Sequence, residues 1–310
     1  MIRSWRATAP GSTSNIGPGF DCLGMAFALP LTVTAERIPA GFRIAREGEG
    51  SDLLLDPHRD PVLRAFRHLC RLAHEPVPTV ALTIRSSIPV ARGLGSSAAA
   101  IVAGLVLANH WLGGRFDDDA LLAEAVILEG HPDNVAPSLR GGLVLSFPRP
   151  GGVVEALPLP APRGVAFTLV VPDVRVSTRE ARALLPRSVP LRDAAANTAR
   201  ALALLTILAS RRFDLLADAL VDVYHVPHRA RLIPGYHAVV EAGRRAGAHG
   251  VTISGSGPTL LAIHAPGDGA RVGAAMIRAF ARAGVRSRAI PGRPDRRGAS
   301  ARTLRETRNR

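Results

Sequence analysis

The sequence contains no lysine, so all 39 basic residues are arginine. Enzymes that form a Schiff base, enzymes that use an SxxK arrangement and nucleotide-binding P-loops that end in Gly-Lys-Ser/Thr all need the lysine amine. These three kinds of site are therefore excluded.

Aromatic residues are scarce, at 4% of the chain, whereas hydrophobic residues make up 47%. A chain of 310 residues is long enough for one or two domains, and their core must be built mainly from Ala, Leu, Val and Ile. Few aromatic side chains remain on which nucleic-acid bases could stack. The formal net charge of +14 is compatible with a polyanion, but it suits an anionic small substrate as well.

The chain has two cysteines, Cys22 and Cys70. They lie far apart and lack CxxC spacing, so we expect inert thiols in a reducing compartment. The N-terminus has no apolar segment typical of a signal peptide, and the run of small apolar residues at 98–108 is too short to cross a bilayer. The sequence therefore predicts a soluble, cytoplasmic protein without a membrane partner.

Hydrophobic periodicity predicts an α+β fold rather than a doubly wound series of βαβ units, and no internal repeat is visible. Strands are predicted over residues 20–38, 79–86, 141–147 and 165–171, and on both sides of a glycine turn within 249–264. Helices are predicted over residues 61–73, 98–112, 178–185, 192–211, 213–224, 236–246 and 270–283. One more helix begins at the acidic run 117–119, which suits the positive end of a helix dipole.

A Pro- and Gly-rich segment at 148–164 is the best candidate domain boundary. We therefore predict an N-terminal domain over residues 1–150 and a C-terminal domain over residues 151–291. The remaining stretch, 292–310, has almost no apolar residues and is rich in arginine. Such a composition is typical of a disordered, solvated tail, and a polyanion-binding arm is the alternative.

The segment ARGLGSSAAA, residues 91–100, places two glycines directly before a predicted helix. Gly93, Gly95 and Ala98 formally fit the dinucleotide fingerprint G-x-G-x-x-A, but residues 99–130 read as two helices and lack the required second strand. The free N–H groups of a helix start, bared by glycine, suit a phosphate. An ordinary strand-to-helix turn with a serine N-cap is the alternative.

Three further polar clusters lie where loops meet regular elements. They are PGSTSNIGPGFDCLG at 10–24, EGHPDNVAP at 129–137 and SGSGPT at 254–259. The last of these could also be a simple hairpin turn. Together with the first glycine loop they favour a phosphate-binding cleft over an isolated turn.

These segments occur in the order and spacing of the GHMP kinases, which the chain resembles from about residue 6 to about residue 290. STREARALLP at 177–186 and PHRARLIPGY at 227–236 resemble segments of the members that act on homoserine. The resemblance implies an N-terminal domain like the second domain of ribosomal protein S5, packed on a ferredoxin-like C-terminal domain. It also implies ATP- and Mg²⁺-dependent phosphorylation of the side-chain hydroxyl of L-homoserine, in threonine biosynthesis, by a homodimer.

The same resemblance implies the site residues. The ATP-binding residues would be Pro89, Val90, Ala91, Arg92, Gly93, Leu94, Gly95, Ser96, Ser97, Ala98 and Ala99, with Gly255, Ser256 and Gly257 as a second glycine loop. The Mg²⁺ ligands would be Ser97 and Glu129. The substrate pocket would contain Asn15, Asp21, His131, Asp133, Asn134, Arg182 and Arg229, and the catalytic residues would be Asn134, Glu129 and Arg182.

The chemistry of the implied pocket suits an amino acid. Asp21 and Asp133 can meet an ammonium group, while Arg182 and Arg229 can pair with a carboxylate or with the γ-phosphate. Asn134 is left to orient the hydroxyl, and Asn15 to position the pocket. Phosphoryl transfer depends on alignment and charge neutralisation, so no strong base is required.

Several residues have competing interpretations. Glu129 could be a surface carboxylate at a helix end, Asp133 could form an Asx turn, and His131 could have a purely structural role in its loop. His225 and His228 have metal-like spacing, but no third ligand lies near them in sequence.

The chain departs from the family pattern at Ala91, where glycine is usual, and at residues 56–62, so nucleotide affinity and base preference stay open. Another GHMP kinase, acting on mevalonate, a sugar or an isoprenoid alcohol, is the main functional alternative. A non-catalytic basic protein that binds nucleic acid through the arginine-rich tail is the alternative of a different class. The sequence does not decide the oligomeric state or whether threonine inhibits the enzyme.

Overall fold

The computed structural model describes residues 4–53 and 56–304. These residues contain eleven strands: β1 Ser4–Asn15, β2 Gly19–Arg37, β3 Phe42–Gly48, β4 Val80–Ser86, β5 Leu143–Pro148, β6 Val154–Leu159, β7 Ala166–Pro172, β8 Ala248–Ile253, β9 Leu260–His264, β10 Ser287–Pro291 and β11 Ser300–Thr303.

The strands form two sheets. The first has the order β11-β1-β2-β4-β3, with β5 paired to the other end of β2 and β6 paired to β5. Within it β3 and β4 run parallel and the other pairs run antiparallel. The second sheet is antiparallel, with the order β10-β7-β9-β8.

Ten α-helices lie among the described residues: α1 Pro61–Leu72, α2 Ser96–Trp111, α3 Asp118–Glu129, α4 Pro132–Arg140, α5 Thr178–Ala183, α6 Leu191–Ser210, α7 Leu216–Ala219, α8 Val226–Arg229, α9 Tyr236–Arg245 and α10 Gly269–Arg282. No helix in the described part of the chain has the length and apolar character that spanning a membrane requires.

Helix α2 is the central helix of the first half of the chain. Most of its residues are buried, and many of these are Ala or Gly, which allows α1 to pack closely against it. A Cβ at Gly104 would overlap the backbone oxygen of Val62 in α1. Because α2 is enclosed by neighbours, its N-terminus has a fixed position, and the glycine loop that precedes it opens into a cleft.

Most of the predicted elements are present. The helix predicted at 98–112 begins two residues earlier, at Ser96, and α3 starts as expected, where the Asp117 carboxylate accepts a hydrogen bond from the Ala120 N–H. The helix predicted at 213–224 is wrong, because only a 3₁₀ turn at Phe213–Leu215 and the four residues of α7 are helical there.

Periodicity does not predict β1, β3, β6, β10, β11, α4 or α8. Strands β1 and β3 and helix α4 lie in segments with few long apolar side chains. The second half of β1 is rich in Pro, Gly, Ser and Thr, and α4 contains Pro137. Strand pairing with β2 and burial of nearly every α4 side chain override these weak local preferences.

Two boundary predictions need correction. The boundary at residue 150 falls inside the first sheet, because β6 pairs with β5 as far as Leu159. The disordered tail predicted at 292–310 is wrong for residues 292–304, since β11 pairs with β1 and the Ala299 N–H donates to the Leu139 carbonyl. Main-chain pairing thus orders a segment that has few apolar side chains. Residues 305–310 lie outside the described part of the chain.

Candidate active site

A cleft of about 380 Å³ lies where the loop before α2, the β1–β2 turn, the α3–α4 junction, α5, α8 and the 254–257 loop meet. All but three of the predicted site residues line it. Ala98 and Ala99 are fully buried in the core instead, and Gly257 packs against Ile233 and Ile253. The structure thus brings together residues from both ends of the chain.

The glycine loop has the geometry of an anion-binding helix start. Gly93 and Gly95 have φ values of +72° and +68°, which is the left-handed region that glycine adopts without strain. Gly95 is the N-cap of α2 and offers no side-chain cap. The Ala99 N–H makes the first intrahelical bond, to the Gly95 carbonyl at 2.9 Å, so the preceding N–H groups can bind a ligand. The alternative of a serine N-cap is wrong.

The second glycine loop packs on the first one. The Ser254 hydroxyl donates to the Gly93 carbonyl at 2.7 Å, and the Gly255 N–H donates to the Ser14 carbonyl at 3.1 Å. A Cβ at Gly93 would overlap the backbone oxygen of Ser254. The residue at position 93 must therefore lack a side chain, because the two loops touch there.

Ser97 and Glu129, the two predicted metal ligands, are in direct contact. The Ser97 hydroxyl donates to Glu129 Oε2 at 2.8 Å. Glu129 ends α3, and Gly130, with φ +92°, turns the chain away immediately afterwards. Burial raises the pKa of Glu129, because the charged carboxylate loses hydration, and the Ser97 hydrogen bond offsets only part of this rise. A nearby cation would stabilise the charged form.

Asn134 is buried and held at both ends of its amide. Its Oδ1 accepts from the Ser12 hydroxyl and its Nδ2 donates to the Ser14 hydroxyl, both at 2.9 Å. These two serines belong to β1, and sequence reasoning did not place them in the site. The polar cluster at residues 12–15 was their signal, but in the sequence alone it is typical of a loop.

His131 and Asp133 form a hydrogen-bonded pair at the start of α4. His131 Nδ1 lies 2.6 Å from Asp133 Oδ1, and Asp133 is almost completely buried. Burial lowers the pKa of His131, but the hydrogen bond and the charge of Asp133 outweigh it and raise the pKa overall. The pair lines the cleft next to Glu129.

Asp21 and Arg182 are joined by a two-pronged ion pair across the cleft. The Arg182 Nη1 and Nη2 atoms lie 3.0 and 2.7 Å from the two carboxylate oxygens of Asp21. Asn15 supports this arrangement, because its Oδ1 accepts from the Asp21 N–H and its Nδ2 donates to the Gly255 carbonyl. The Asn15 amide therefore positions the loop.

Arg229 is 2% exposed, and no carboxylate among the described residues pairs with it. Its Nη1 donates to the Gly255 carbonyl at 2.9 Å, whereas its Nε has no hydrogen-bond partner in the described part of the chain. Burial, assisted by the charge of Arg182, lowers the pKa of Arg229 to about 10. A buried arginine without a counter-ion is costly, so an anionic ligand would stabilise this site.

The two departures from the family pattern have local explanations. Ala91 keeps a left-handed backbone, with φ +54°, so alanine adopts here a conformation that favours glycine, at a cost of about 1–2 kcal/mol. In the 56–62 segment, Asp60 caps α1 and pairs with Arg46, and Pro61 reaches the cleft.

Arg92, a predicted ATP-binding residue, and His225, which has metal-like spacing to His228, both contact other groups of the protein. The side chain of Arg92 pairs with Asp173 at 3.1 Å. His225 is fully buried and hydrogen-bonds the Gly17 carbonyl. Among the described residues no group of three or more His, Cys, Asp and Glu side chains has the arrangement of a metal site.

Comparisons with known proteins agree with this geometry. The family model for the GHMP kinases N terminal domain matches residues 60–142, and the model for the GHMP kinases C terminal domain matches residues 201–282. The homoserine kinase of Carboxydothermus hydrogenoformans is 39% identical over 291 residues, which cover 94% of each chain. The chain belongs to the GHMP kinase family.

Other relatives of this GHMP kinase are also homoserine kinases. The homoserine kinase of Moorella thermoacetica is 44% identical over 89% of this chain and 93% of its own. The crystal structure of homoserine kinase from Cytophaga hutchinsonii superposes with a TM-score of 0.85, at 30% identity, over 96% of this chain and 97% of the other. The family resemblance and the α+β two-domain fold are thereby confirmed. The chain is a kinase, an ATP-dependent phosphotransferase.

Proposed function

We propose that this kinase transfers the γ-phosphate of ATP to the side-chain hydroxyl of L-homoserine and so produces O-phospho-L-homoserine for threonine biosynthesis. One observation supports this most directly: the helix N-terminus and the buried, unpaired Arg229 line the same cleft. The first suits a polyphosphate, and the second needs an anion such as a carboxylate. The similarity to homoserine kinases over about nine-tenths of the chain supports the choice of substrate.

The nucleotide would bind along the first glycine loop. Its phosphates would lie over Gly93–Ala98, because the start of α2 and the loop before it line the cleft and a helix start has free N–H groups. Apolar side chains that line the cleft would hold the base; they include Leu31, Leu53, Pro61, Val90 and Ala100. Because the chain has no lysine, charge on the phosphates would be balanced by helix N–H groups, arginine and a divalent ion.

Ser97 and Glu129 would hold Mg²⁺. A hydroxyl and a carboxylate oxygen 2.8 Å apart form a hard donor set that suits this ion. Mg²⁺ usually takes one or two protein ligands and completes its shell with phosphate oxygens and water, so a pair of side chains is sufficient. When bound, the ion would neutralise charge on the transferred phosphate.

The amino acid would bind beyond the phosphates. The Asp21 and Asp133 carboxylates, which line the cleft, would meet its ammonium group, and Arg182 and Arg229 would meet its carboxylate or the γ-phosphate. This mixture of acidic and basic groups, of which Asp133 and Arg229 are buried, favours a zwitterion. A neutral sugar would leave Arg229 without a counter-ion.

Asn134 would orient the substrate hydroxyl. Ser12 and Ser14 fix its amide, so the group is preorganised at little entropic cost. The substrate oxygen forms a bond to the γ-phosphorus, the bond from that phosphorus to the β-phosphate oxygen breaks, and ADP leaves. The hydroxyl proton passes late to the transferred phosphoryl group, so no strong base is needed. An Asn134→Ala variant should therefore lose kcat; a raised KM with normal kcat would contradict this role.

A panel of acceptors tests the proposal. ATP consumption would be measured with L-homoserine, mevalonate and galactose at equal concentrations. Turnover with homoserine and little with the others supports it. Turnover with mevalonate or galactose and none with homoserine would replace it by another activity of the same family.

Two parts of the proposal rest on the sequence alone. The family resemblance favours a homodimer, and the two free cysteines, Cys22 and Cys70, favour a reducing, cytoplasmic location. Light scattering during size-exclusion chromatography measures the first, and cell fractionation measures the second.

A further inference from the structure

His225, at the N-cap of α8, is fully buried, and the proposed reaction does not use it directly. Its Nε2 lies 2.9 Å from the backbone oxygen of Gly17. A carbonyl oxygen can only accept a hydrogen bond, so Nε2 must carry the proton. The other ring nitrogen, Nδ1, is therefore an acceptor in the neutral ring.

Nδ1 faces the buried arginine of the site. Arg229 Nη1 lies 3.4 Å from His225 Nδ1 and also donates to the Gly255 carbonyl. An arginine can only donate, which is compatible with the neutral tautomer that Gly17 selects. Burial and the charge of Arg229 both lower the pKa of His225, so the ring stays neutral near pH 7.

The ring of His225 also stacks on Phe20. The two ring centroids are 5.5 Å apart with an interplanar angle of 28°. The guanidinium carbons of Arg229 and Arg182 lie 5.4 and 5.8 Å from the Phe20 centroid, within the range of a cation–π contact. Phe20 therefore connects the histidine with both arginines of the cleft.

The segment held by His225 is the β1–β2 turn, and Phe20 and Asp21 follow this turn at the start of β2. A second tie lies beside the first, because Asn197 in α6 donates to the Pro18 carbonyl at 3.0 Å and accepts from the Val223 N–H. The turn is thus fixed from the second half of the chain at two successive carbonyls. The Asp222 carboxylate also lies close to the ring, but at 3.7 Å from Nε2 it is farther away than Gly17.

We propose that His225 is a positioning residue for the substrate: it holds Arg229 and the β1–β2 turn in the arrangement that receives the carboxylate of the amino acid. This inference rests on the proposed function. The histidine acts through Arg229 and Phe20 and does not touch the reacting atoms. Its loss should weaken binding of the amino acid and leave binding of ATP unchanged.

Two variants of His225 test this. His225→Phe keeps a ring of similar size against Phe20 but loses both hydrogen bonds, so KM for L-homoserine should rise roughly 10-fold or more, as expected for hydrogen bonds that involve a charged group. His225→Gln keeps an N–H that can reach the Gly17 carbonyl, so it should recover part of that loss. KM for ATP should stay within about twofold in both. His237→Gln, on the exposed face of α9, is the matched control and should behave like the wild type.

A double-mutant cycle with Arg229→Ala separates positioning from general damage. If His225 acts through Arg229, the loss in kcat/KM for homoserine caused by His225→Phe should be several-fold smaller once Arg229 is already alanine, and the remainder would come from the β1–β2 turn. Equal losses with and without Arg229, or a rise in KM for ATP equal to that for homoserine, would overturn the inference. Failure of both His225 variants to fold would also overturn it, because the histidine would then have a purely structural role. Absence of homoserine turnover in the wild type would instead contradict the proposed function.

Discussion

The hydroxyl of Ser97 lies 2.8 Å from the carboxylate of Glu129, although 32 residues separate them in sequence. The contact joins the first turn of α2 to the last residue of α3. It places a hard pair of oxygen ligands directly beside a helix N-terminus that can bind phosphate. The relation between these two residues is the structural basis for the divalent ion in the proposed function.

Replacing Glu129 by Gln removes the charge and keeps the shape of the side chain. Turnover at saturating Mg²⁺ should fall by at least about 100-fold, since loss even of groups that support metal ligands costs 10–100-fold. The midpoint of thermal unfolding should not fall, because burial of the charged carboxylate is unfavourable. Steady-state rates over a range of Mg²⁺ concentrations measure the effect. Glu36→Gln, on the exposed side of β2, is the control and should keep the wild-type rate. An unchanged Mg²⁺ dependence in Glu129→Gln would exclude the carboxylate as a ligand.

Gly93→Ala should damage the site more than Gly113→Ala, although both glycines have a left-handed backbone. Gly93 and Gly113 have φ values of +72° and +79°, but a Cβ at 93 would overlap Ser254 whereas a Cβ at 113 would meet nothing within 4 Å. Both variants share the left-handed strain of about 1–2 kcal/mol, and overpacking adds a further 1–3 kcal/mol, roughly, at 93 alone.

Chemical denaturation and KM for ATP compare the two glycine variants. KM for ATP should rise in Gly93→Ala and stay normal in Gly113→Ala, because only the first loop would carry the phosphates. Equal behaviour of the two variants would show that the loops do not touch as described.

Stability should depend on pH through His225. Burial lowers its pKa in the folded state below the ordinary value of about 6.5. A group with a lowered folded pKa contributes stability above the unfolded pKa and loses it as the pH falls towards the folded pKa. The free energy of unfolding of the wild type should therefore fall below pH 6.5, relative to His225→Gln, by up to about 1.4 kcal/mol per pH unit.

Urea denaturation of both chains at pH 7.5 and pH 5.5 measures this difference. His131, whose pKa is raised, would act in the opposite direction. It is present in both chains, so its effect cancels in the comparison. A difference between the two chains that does not change with pH would mean that His225 titrates normally.

The C-terminal strand should contribute to stability. A chain that ends at residue 291 lacks β11, the Phe27–Pro294 bridge and the hydrogen bond from Ala299 to Leu139. At about 0.5–1.5 kcal/mol for each hydrogen bond, we expect it to lose at least about 2 kcal/mol relative to a chain that ends at residue 304. Thermal unfolding of the two truncations checks this, and equal midpoints would contradict the pairing.

The elements that the sequence predicted are those in which local pattern and tertiary environment agree. Helix α2 follows from its continuous run of small apolar residues, and β2, β4 and β7 follow from β-branched and apolar residues. β1 and α4 were missed because Pro, Gly and polar side chains argue locally against regular structure. Their partners, β2 for the strand and the surrounding core for the helix, supply the stability that the local sequence lacks.

The candidate site shows the same division. Motif order identified the glycine loops and most of the residues that line the cleft, and the structure places Ser97 beside Glu129 as that pattern implied. The local sequence around Ser12, Ser14 and His225 does not reveal their roles, since these depend on partners more than a hundred residues away in sequence. The disordered tail was predicted wrongly for a related reason: strand pairing uses backbone groups, and composition does not report them.

The sequence by itself determined what kind of groups could bind phosphate. With no lysine in the chain, glycines that bare the N–H groups before α2 and arginine side chains were the remaining choices. Only the tertiary structure decided which charges are paired. Arg182 forms an ion pair with Asp21, whereas Arg229 is buried and no carboxylate among the described residues pairs with it. Local preferences fix the backbone of segments such as α2, but the balance between desolvation and Coulomb attraction depends on distances that arise only when distant segments pack together.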